Sequence, residues 1–408
     1  MTPSDGDLRR ATTPADVRPR GSAVFESARL GPLVLKNRII KAATFEGAAP
    51  KGEVTDELIA FHRRVASGGA AMTTVAYLAV SPEGRTDRHC VLLGKPALPG
   101  LGRLTDAVHA AGAAASAQIG HAGPVANSRS TGSPSLSASR RLSLSGAITR
   151  AATDGDIARI TDDYRRGAEV AVEAGFDCIE VHLGHDYLLS AFLSPRLNRR
   201  TDGWGGSLAN RARFPRQVVA AVRAAVGDRV AVTAKLNMAD GVAGGFWLDE
   251  SIELAGMLEA DGTLDAIELT GGSSLSNPMY LFRGEAPRRD FAATLPRPLR
   301  LGFKVFGSRF LKEYPFEEAY FLPYARQFRT ALSMPLILLG GVNRLDTVEG
   351  AVAEGFEFVA MARALLREPD LVSQWEQGTV RAGLCIHCNR CMPTIYSGTR
   401  CVLVPNRE

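Results

Sequence analysis

Short apolar segments alternate with amphipathic helices along most of this chain of 408 residues. The apolar segments predict eight strands: Ile39–Lys41, Ala71–Val75, Ala115–Gln118, Cys178–Val181, Val230–Leu236, Ala266–Leu269, Leu336–Leu339 and Phe358–Met361. The segments between them predict helices: Asp56–Ser67, Leu101–Ala110, Asp154–Ala174, Leu208–Val226, Ser251–Ala260, Glu317–Leu332 and Leu345–Glu354. Strands that alternate with helices are typical of a parallel sheet, and eight such units close into a barrel. The sequence therefore predicts the α/β class and a single (β/α)8 TIM barrel, not a doubly wound sheet.

Four segments depart from this alternation. Residues 1–23 are rich in Pro, Arg, Asp and Thr, which predicts a disordered N-terminal tail. The barrel is expected to span residues 24–370, with a Ser/Gly/Arg-rich loop at 126–150 that can reach over its mouth. A long insertion after strand six, residues 271–315, predicts a cap with short pieces of structure. Residues 371–408 form a Cys-rich C-terminal extension.

Composition narrows the expected partners and location. No run of 18 apolar residues occurs, so we expect no transmembrane helix. The net charge of +5 is spread along the chain, which gives no reason to expect a nucleic-acid partner. Of the six cysteines, four lie in the last 24 residues, unlike the distributed cysteines of a secreted disulfide scaffold. We therefore expect a cytoplasmic protein with a small-molecule substrate, and a homo-oligomer is compatible with the sequence.

Chemically active side chains are concentrated after strand four. His182, His185 and Tyr187 come where the apolar run Cys178–Val181 ends. The loops at the carboxyl ends of barrel strands hold the active site in this class of fold. Two imidazoles and a phenol can bind a substrate oxygen and deliver a proton. The alternatives are two surface histidines with a packing tyrosine, or a metal pair His182-x-x-His185, beside which no third ligand stands.

Strands seven and eight end in residues that suit a phosphate group. Gly340 and Gly341 follow strand seven, and Ala362 and Arg363 follow strand eight. The loops after these two strands form the usual phosphate site of such barrels. Glycines let backbone N–H groups approach a phosphate, and a guanidinium binds it with two hydrogen bonds. The alternative is a turn that needs glycine only for its own backbone.

Two further polar residues lie at strand positions. Gln118 ends strand three, and its amide both donates and accepts, as the edge of a pyrimidine-like ring requires. Lys235 interrupts the apolar strand five, where an unpaired ammonium would be costly, so we expect an anionic partner. The alternative is a lysine that reaches from the strand end into solvent. With the phosphate loops, these residues predict a site for a phosphorylated heterocycle.

Longer motifs carry a family resemblance. They are Leu35-Lys36-Asn37-Arg38-Ile39, Gln118-Ile119-Gly120-His121-Ala122-Gly123, Gly175–His182, Tyr187-Leu188-Leu189, Phe192–Asp202 and Gly205–Arg211. In this order they resemble the old yellow enzyme family of FMN-dependent ene-reductases. The resemblance runs from Phe25 to Pro369, nearly the whole predicted barrel.

The resemblance implies that FMN lies across the strand ends. The residues implied in holding it are Thr44, Gln118, Lys235, Gly340, Gly341, Ala362 and Arg363. Gln118 would bind the pyrimidine edge, and Lys235 would face the part of the ring where the reduced flavin gathers negative charge. Two departures from the family stand out. Thr44 or Phe45 occupies a position that often carries a small hydroxyl or thiol residue, and Ala362 replaces a frequent glycine.

The same resemblance implies the reaction. NADH or NADPH would reduce FMN, and hydride would pass from flavin N5 to Cβ of an α,β-unsaturated carbonyl compound, an enone or enoate. His182 and His185 would hold the carbonyl oxygen, and Tyr187 would give a proton to Cα. Two other functions stay open: a flavin-free lyase or isomerase that binds a substrate phosphate, and a non-catalytic flavin redox sensor.

The C-terminal extension carries four closely spaced cysteines: Cys385, Cys388, Cys391 and Cys401. They resemble the iron–sulfur segment of the family's larger branch, which includes 2,4-dienoyl-CoA reductase and trimethylamine dehydrogenase, and this implies a [4Fe–4S] cluster. A zinc site with His387, or thiols without a metal, are the alternatives. The interval before Cys401 is shorter than in that branch. Because the sequence ends at Glu408, we also expect no nucleotide-binding domain to exchange electrons with a cluster.

Overall fold

The structure, a computed structural model, describes residues 21–142, 148–295 and 297–404. The predicted N-terminal tail, residues 1–23, lies outside the described residues except for its last three. Within these ranges no helix has the length and apolar character that a membrane crossing needs.

A parallel barrel forms the centre of the described chain, as predicted. The hairpin β1 (Ala28–Leu30) and β2 (Leu33–Leu35) is followed by the barrel strands β3 (Ile39–Phe45), β4 (Met72–Ala79) and β5 (Ala114–Gly120). Three short strands come next, β6 (Leu136–Ser137), β7 (Arg141–Leu142) and β8 (Ile148–Ala151). The barrel then continues with β9 (Cys178–Leu183), β10 (Ala231–Asn237), β11 (Ala266–Thr270), β12 (Leu336–Leu339) and β13 (Phe358–Met361). The barrel closes because β13 pairs in parallel with β3.

The β1–β2 hairpin closes the floor of the barrel. Its turn contains Gly31 at φ 56°, a left-handed conformation that glycine adopts without strain. Leu30 and Leu35 pack in one buried cluster with Met72 and Cys178, which begin their barrel strands. The open end of the barrel is therefore the opposite end, where the strands finish and the loops are long.

The helices are α1 (Asp56–Ser67), α2 (Leu98–Ala110), α3 (Ser128–Thr131), α4 (Asp154–Glu173), α5 (Leu188–Leu193), α6 (Leu208–Val226), α7 (Leu248–Asp261), α8 (Met279–Phe282), α9 (Arg288–Thr294), α10 (Arg297–Phe310), α11 (Leu322–Ala331), α12 (Leu345–Ala353), α13 (Arg363–Arg367) and α14 (Leu371–Glu376). Those with clear N-cap signals begin where predicted. The Thr55 hydroxyl accepts a hydrogen bond from the Leu58 N–H at 3.2 Å, and Thr153 and Asp156 form a capping box at α4.

Several predicted boundaries differ from the structure, and two of the differences are described here. Strand β9 continues past Val181 to Leu183, because β10 pairs with its last two residues, so His182 lies in the strand and not after it. Helix α11 begins at Leu322 instead of Glu317. Ala319 has φ 52°, a left-handed conformation that is costly for alanine and does not fit a right-handed helix. The helix therefore begins only after this residue.

Both long loops contain structure. Strands β6, β7 and β8 form a small sheet in the order β6-β8-β7, which we call the mouth flap (residues 136–142 and 148–151). The flap contacts α5, the helix that follows β9, so it lies over the open end of the barrel. The insertion at 271–315 contains α8, α9 and α10, which fits the predicted cap with short elements.

Candidate active site

Two imidazoles meet at the carboxyl end of β9. The Nε2 of His182 lies 3.3 Å from the Nδ1 of His185. The other ring nitrogen of His185 lies 3.0 Å from the Thr270 hydroxyl at the end of β11. The backbone N–H of His185 donates to the Asn237 side chain at 3.2 Å, at the end of β10. The ends of three neighbouring strands therefore fix the position of His185.

A tight left-handed turn brings His185 back towards His182. His185 and Asp186 have φ values of 60° and 63°, which are unusual for residues other than glycine. Asp186 is buried, and its carboxylate accepts hydrogen bonds from the Ser273 hydroxyl and, at 3.1 Å, from the Leu275 N–H. These bonds offset the cost of the turn, because they tie it to the loop after β11.

Tyr187 completes the predicted set. Its ring packs edge-on against His182, with the ring centroids 4.5 Å apart, and edge-on against Tyr77 at 5.3 Å. Its position just before α5 fixes its backbone, and its N–H donates to the Gly184 carbonyl at 3.1 Å. The structure therefore brings together the three residues that the sequence singled out.

Both imidazoles are neutral at neutral pH. Burial and, to a lesser extent, the positive charge of Lys235 lower the pKa of His185 to about 3. Burial also lowers the pKa of His182 well below its usual range, and His185 and Lys235 add to that effect. Among the described residues, the buried Nδ1 of His182 has no hydrogen-bond partner. A neutral imidazole with an unpaired nitrogen can bind a ligand oxygen without carrying a counterion.

The lowered pKa of His185 predicts an acid-sensitive fold. In the unfolded chain His185 takes up a proton near pH 6.5, whereas in the folded protein it does so only near pH 3. Stability should therefore fall as the pH drops below 6.5, by about 2 kcal/mol from this residue between pH 7.5 and 5. Urea unfolding at both pH values measures the loss, which should shrink in His185→Gln. An equal loss in that variant would contradict the assignment.

A buried charge cluster lies in the barrel next to His182. Lys235, which pairs with His182 in the strand register, lies 3.1 Å from the Glu180 carboxylate and also bonds to Glu268. The Gln118 amide donates to Glu180 at 2.6 Å. Burial lowers the pKa of Lys235, but the two carboxylates outweigh that effect and raise it, so the ammonium stays charged. The expected anionic partner of Lys235 is thus confirmed.

Sequence reasoning did not assign Glu180 or Glu268 to the site. The signal was available for Glu180, since it lies two residues before His182 and therefore on the same face of β9. Glu268 stands opposite Lys235 in the register of β11, which only the strand pairing reveals.

A second charge cluster lies at the end of β3. The Lys41 ammonium donates to the Thr44 hydroxyl at 2.8 Å and lies 3.3 Å from Glu46. The Thr44 hydroxyl is therefore directed towards Lys41. Phe45 packs instead in the apolar cluster that also contains Tyr77 and Tyr187.

The ends of β12 and β13 meet at Tyr320. A Cβ atom on Gly341, which has φ 76°, would lie 2.5 Å from the Tyr320 ring, so no other residue fits there. Arg363 donates to the Tyr320 hydroxyl at 3.3 Å and to the Arg283 carbonyl at 3.0 Å. It also donates to the side chain of Asn389 from the C-terminal extension. The glycine loop and the guanidinium are thus neighbours, and the contact with the extension was not predicted.

None of the four cysteines of the extension forms a disulfide bond. Burial raises the pKa of Cys391 to about 12 and also raises that of Cys385, which opposes the thiolate form that metals bind. Within the described ranges no group of three or more His, Cys, Asp or Glu side chains is arranged so that it could hold a metal ion. A cluster or zinc at Cys385, Cys388, Cys391 and Cys401 stays a prediction. Iron, zinc and acid-labile sulfide analysis of anaerobically purified protein would decide it.

Comparison with known proteins places this geometry in context. Residues 23–267 match the model of the NADH:flavin oxidoreductase / NADH oxidase family. The chain is 61% identical to 4,4'-dithiodibutanoate disulfide reductase from Rhodococcus erythropolis, over 93% of this chain and 95% of that protein. It spans about half the length of several other curated relatives that it matches.

Solved structures agree with the fold. A 2-naphthoyl-CoA reductase in complex with 2-naphthoyl-CoA is similar with a TM-score of 0.81 and 25% identity, over 94% of this chain and 57% of that one. An old yellow enzyme homologue from Zymomonas mobilis has a TM-score of 0.70 and 21% identity, over 90% of this chain and 96% of that one. The predicted barrel and the predicted resemblance are both confirmed.

Proposed function

This chain belongs to the NADH:flavin oxidoreductase / NADH oxidase family and is an FMN-dependent NAD(P)H oxidoreductase, and we propose that it reduces the C=C bond of α,β-unsaturated carbonyl compounds. The observation that carries the proposal is the pair of neutral imidazoles, buried His182 and half-buried His185, with a tyrosine ring 4.5 Å from His182. Neutral imidazoles can donate hydrogen bonds to a carbonyl oxygen, and a phenol beside them can supply a proton.

The residues at the barrel mouth suit FMN as a set of donors. Gly341 leaves backbone uncovered where a Cβ would collide with Tyr320. A phosphate there would compete with Asn389 and Tyr320 for the Arg363 guanidinium. We propose that the residues holding FMN are Thr44, Gln118, Lys235, Gly340, Gly341, Ala362 and Arg363.

The proposed roles divide between binding and proton transfer. Bound FMN supplies a hydride that originates from NAD(P)H. His182, through its unpaired Nδ1, and His185, by exchanging its contact with His182 or Thr270, hold the substrate oxygen and stabilise the negative charge that develops on it as Cβ gains the hydride. Tyr187 delivers a proton to Cα, so that the C=C bond gains one hydride and one proton in total. The burial of His182 limits the competition of water for its hydrogen bond to the substrate.

Disulfide reduction is a second candidate, because the relative with 61% identity reduces 4,4'-dithiodibutanoate. The same residues could serve it. Hydride addition to one sulfur breaks the S–S bond and releases the other sulfur as a thiolate. Tyr187 would then protonate that thiolate, so one disulfide, one hydride and one proton give two thiols.

Anaerobic half-reactions test the proposal. The purified protein should be yellow, release FMN on denaturation, and lose its visible absorbance with NADH or NADPH. Cyclohexenone should restore the absorbance if the C=C bond is the acceptor, and 4,4'-dithiodibutanoate should restore it if the disulfide is. A colourless protein would favour a lyase or isomerase. A flavin that NAD(P)H reduces, but that neither acceptor reoxidises, would favour a redox sensor.

A further inference from the structure

Three arginines lie around the mouth flap. Arg141 is in β7, and Arg196 and Arg199 are in the segment that follows α5. The flap and this segment are tied together, because the Arg199 N–H donates to the Ser139 hydroxyl at 2.9 Å. Arg200 strengthens the tie by donating to the carbonyls of Ala138 and Ala152, at 3.2 and 2.6 Å. The arginines are thus attached to the helix that begins directly after Tyr187.

Arg141 is the least exposed of the three arginines. It is half-buried, and its Nε is buried without a hydrogen-bond acceptor among the described residues. Burial lowers its pKa, the charge of Asp186 raises it, and the charges of Arg196 and Arg199 lower it again. A buried guanidinium nitrogen with no acceptor is costly unless an anion binds it.

Asp186 compensates this positive charge only in part. Its carboxylate already accepts hydrogen bonds from Ser273 and Leu275. Burial and the neighbouring Asp240 raise its pKa, which reduces its negative charge. Asp186 lies between His185 and Tyr187 in the chain, so the uncompensated charge borders the site of hydride transfer that we propose.

We infer that Arg141, with Arg196 and Arg199 beside it, binds a carboxylate at the far end of the electron acceptor. This inference rests on the proposed function and narrows its substrates to short acids that carry the reducible bond. A guanidinium matches a carboxylate with two parallel hydrogen bonds. A short carbon chain would join the carboxylate to the reacting atoms near Tyr187. The anion is assigned to the acceptor and not to the phosphates of NAD(P)H.

Arg141→Gln tests the inference, with Arg140→Gln, its exposed neighbour, as the matched control. The acceptors are 4,4'-dithiodibutanoate and (E)-4-oxopent-2-enoate, each compared with its methyl ester. In Arg141→Gln the KM of each carboxylate that is turned over should rise about 10- to 100-fold, while that of its ester stays the same. The control variant should behave as wild type. An equal rise for acid and ester, or the same effect in the control, would overturn the inference.

Two further measurements separate this inference from the proposed function. Titration of the oxidised holoenzyme with 4,4'-dithiodibutanoate measures binding without turnover. If Arg141→Gln weakens this binding, the carboxylate site is supported even when no acceptor is reduced. If the wild type does not bind the acid, or if the variant binds it equally well, the inference is overturned. The concentration dependence of flavin reduction by NADH and NADPH should be unchanged in Arg141→Gln. A loss confined to this half-reaction would assign the arginines to the nicotinamide cofactor and overturn the inference.

Discussion

Tyr187→Phe is expected to slow reoxidation of the reduced enzyme by its acceptor about 10²- to 10⁴-fold, the range for a lost general acid. Flavin reduction by NAD(P)H should stay near normal, because that step needs no proton from Tyr187. The ring itself should keep its place, since phenylalanine retains the edge-on contacts with His182 and Tyr77. Anaerobic stopped-flow absorbance measures the two half-reactions separately.

Tyr77→Phe is the matched control for this prediction. The same atom is removed from the neighbouring ring, but the Tyr77 hydroxyl donates to the Gly84 carbonyl instead of serving a substrate. The Tyr77→Phe variant should therefore change the rates of both half-reactions to the same modest extent, through altered packing. If Tyr187→Phe reoxidised as fast as wild type, Tyr187 would lose its role as acid and the proton would come from water.

The sequence predicted the barrel well because its signals are local. Strands β12 and β13 begin and end with their apolar runs. Helix α6 begins after Ser207 and ends before Gly227, as predicted. His182, His185 and Tyr187 were identifiable because one short segment contains all three. Their chemistry and their position after an apolar run are both readable without knowing the rest of the chain.

The missed features depend on contacts between distant segments. Glu268 joins Lys235 only through the pairing of β10 with β11. The Asn389 side chain accepts a hydrogen bond from Arg363, although the two residues lie in different segments and no sequence periodicity links them. Arg141 lies in a loop whose short strands are too brief for a reliable pattern. Pairing and packing, not local propensity, decide such positions.

Lys235→Met should lower the free energy of unfolding by about 3–5 kcal/mol, the usual cost of removing one partner from a buried ion pair. Lys235 and Glu268 are almost fully buried, with side chains 3% and 1% exposed. Without the ammonium, Glu180 and Glu268 face each other with no cation to stabilise their charges. Urea unfolding of the FMN-saturated protein at pH 7 measures the loss, and Lys95→Met, at an exposed lysine, should show almost none.

The pH dependence separates lost charge from lost packing in this variant. Burial already raises the pKa of Glu268, and removal of Lys235 should raise it further. Both folded proteins then bind a proton on Glu268 at a pH where the unfolded chain does not, but the variant does so more readily because no ammonium opposes it. Its stability relative to wild type should therefore increase as the pH falls from 8 to 6. The double variant Lys235→Met/Glu268→Gln, which removes one of the two opposed charges, should recover part of the loss at pH 7. A deficit that neither acid nor the second substitution reduces would show that Lys235 contributes packing and not charge.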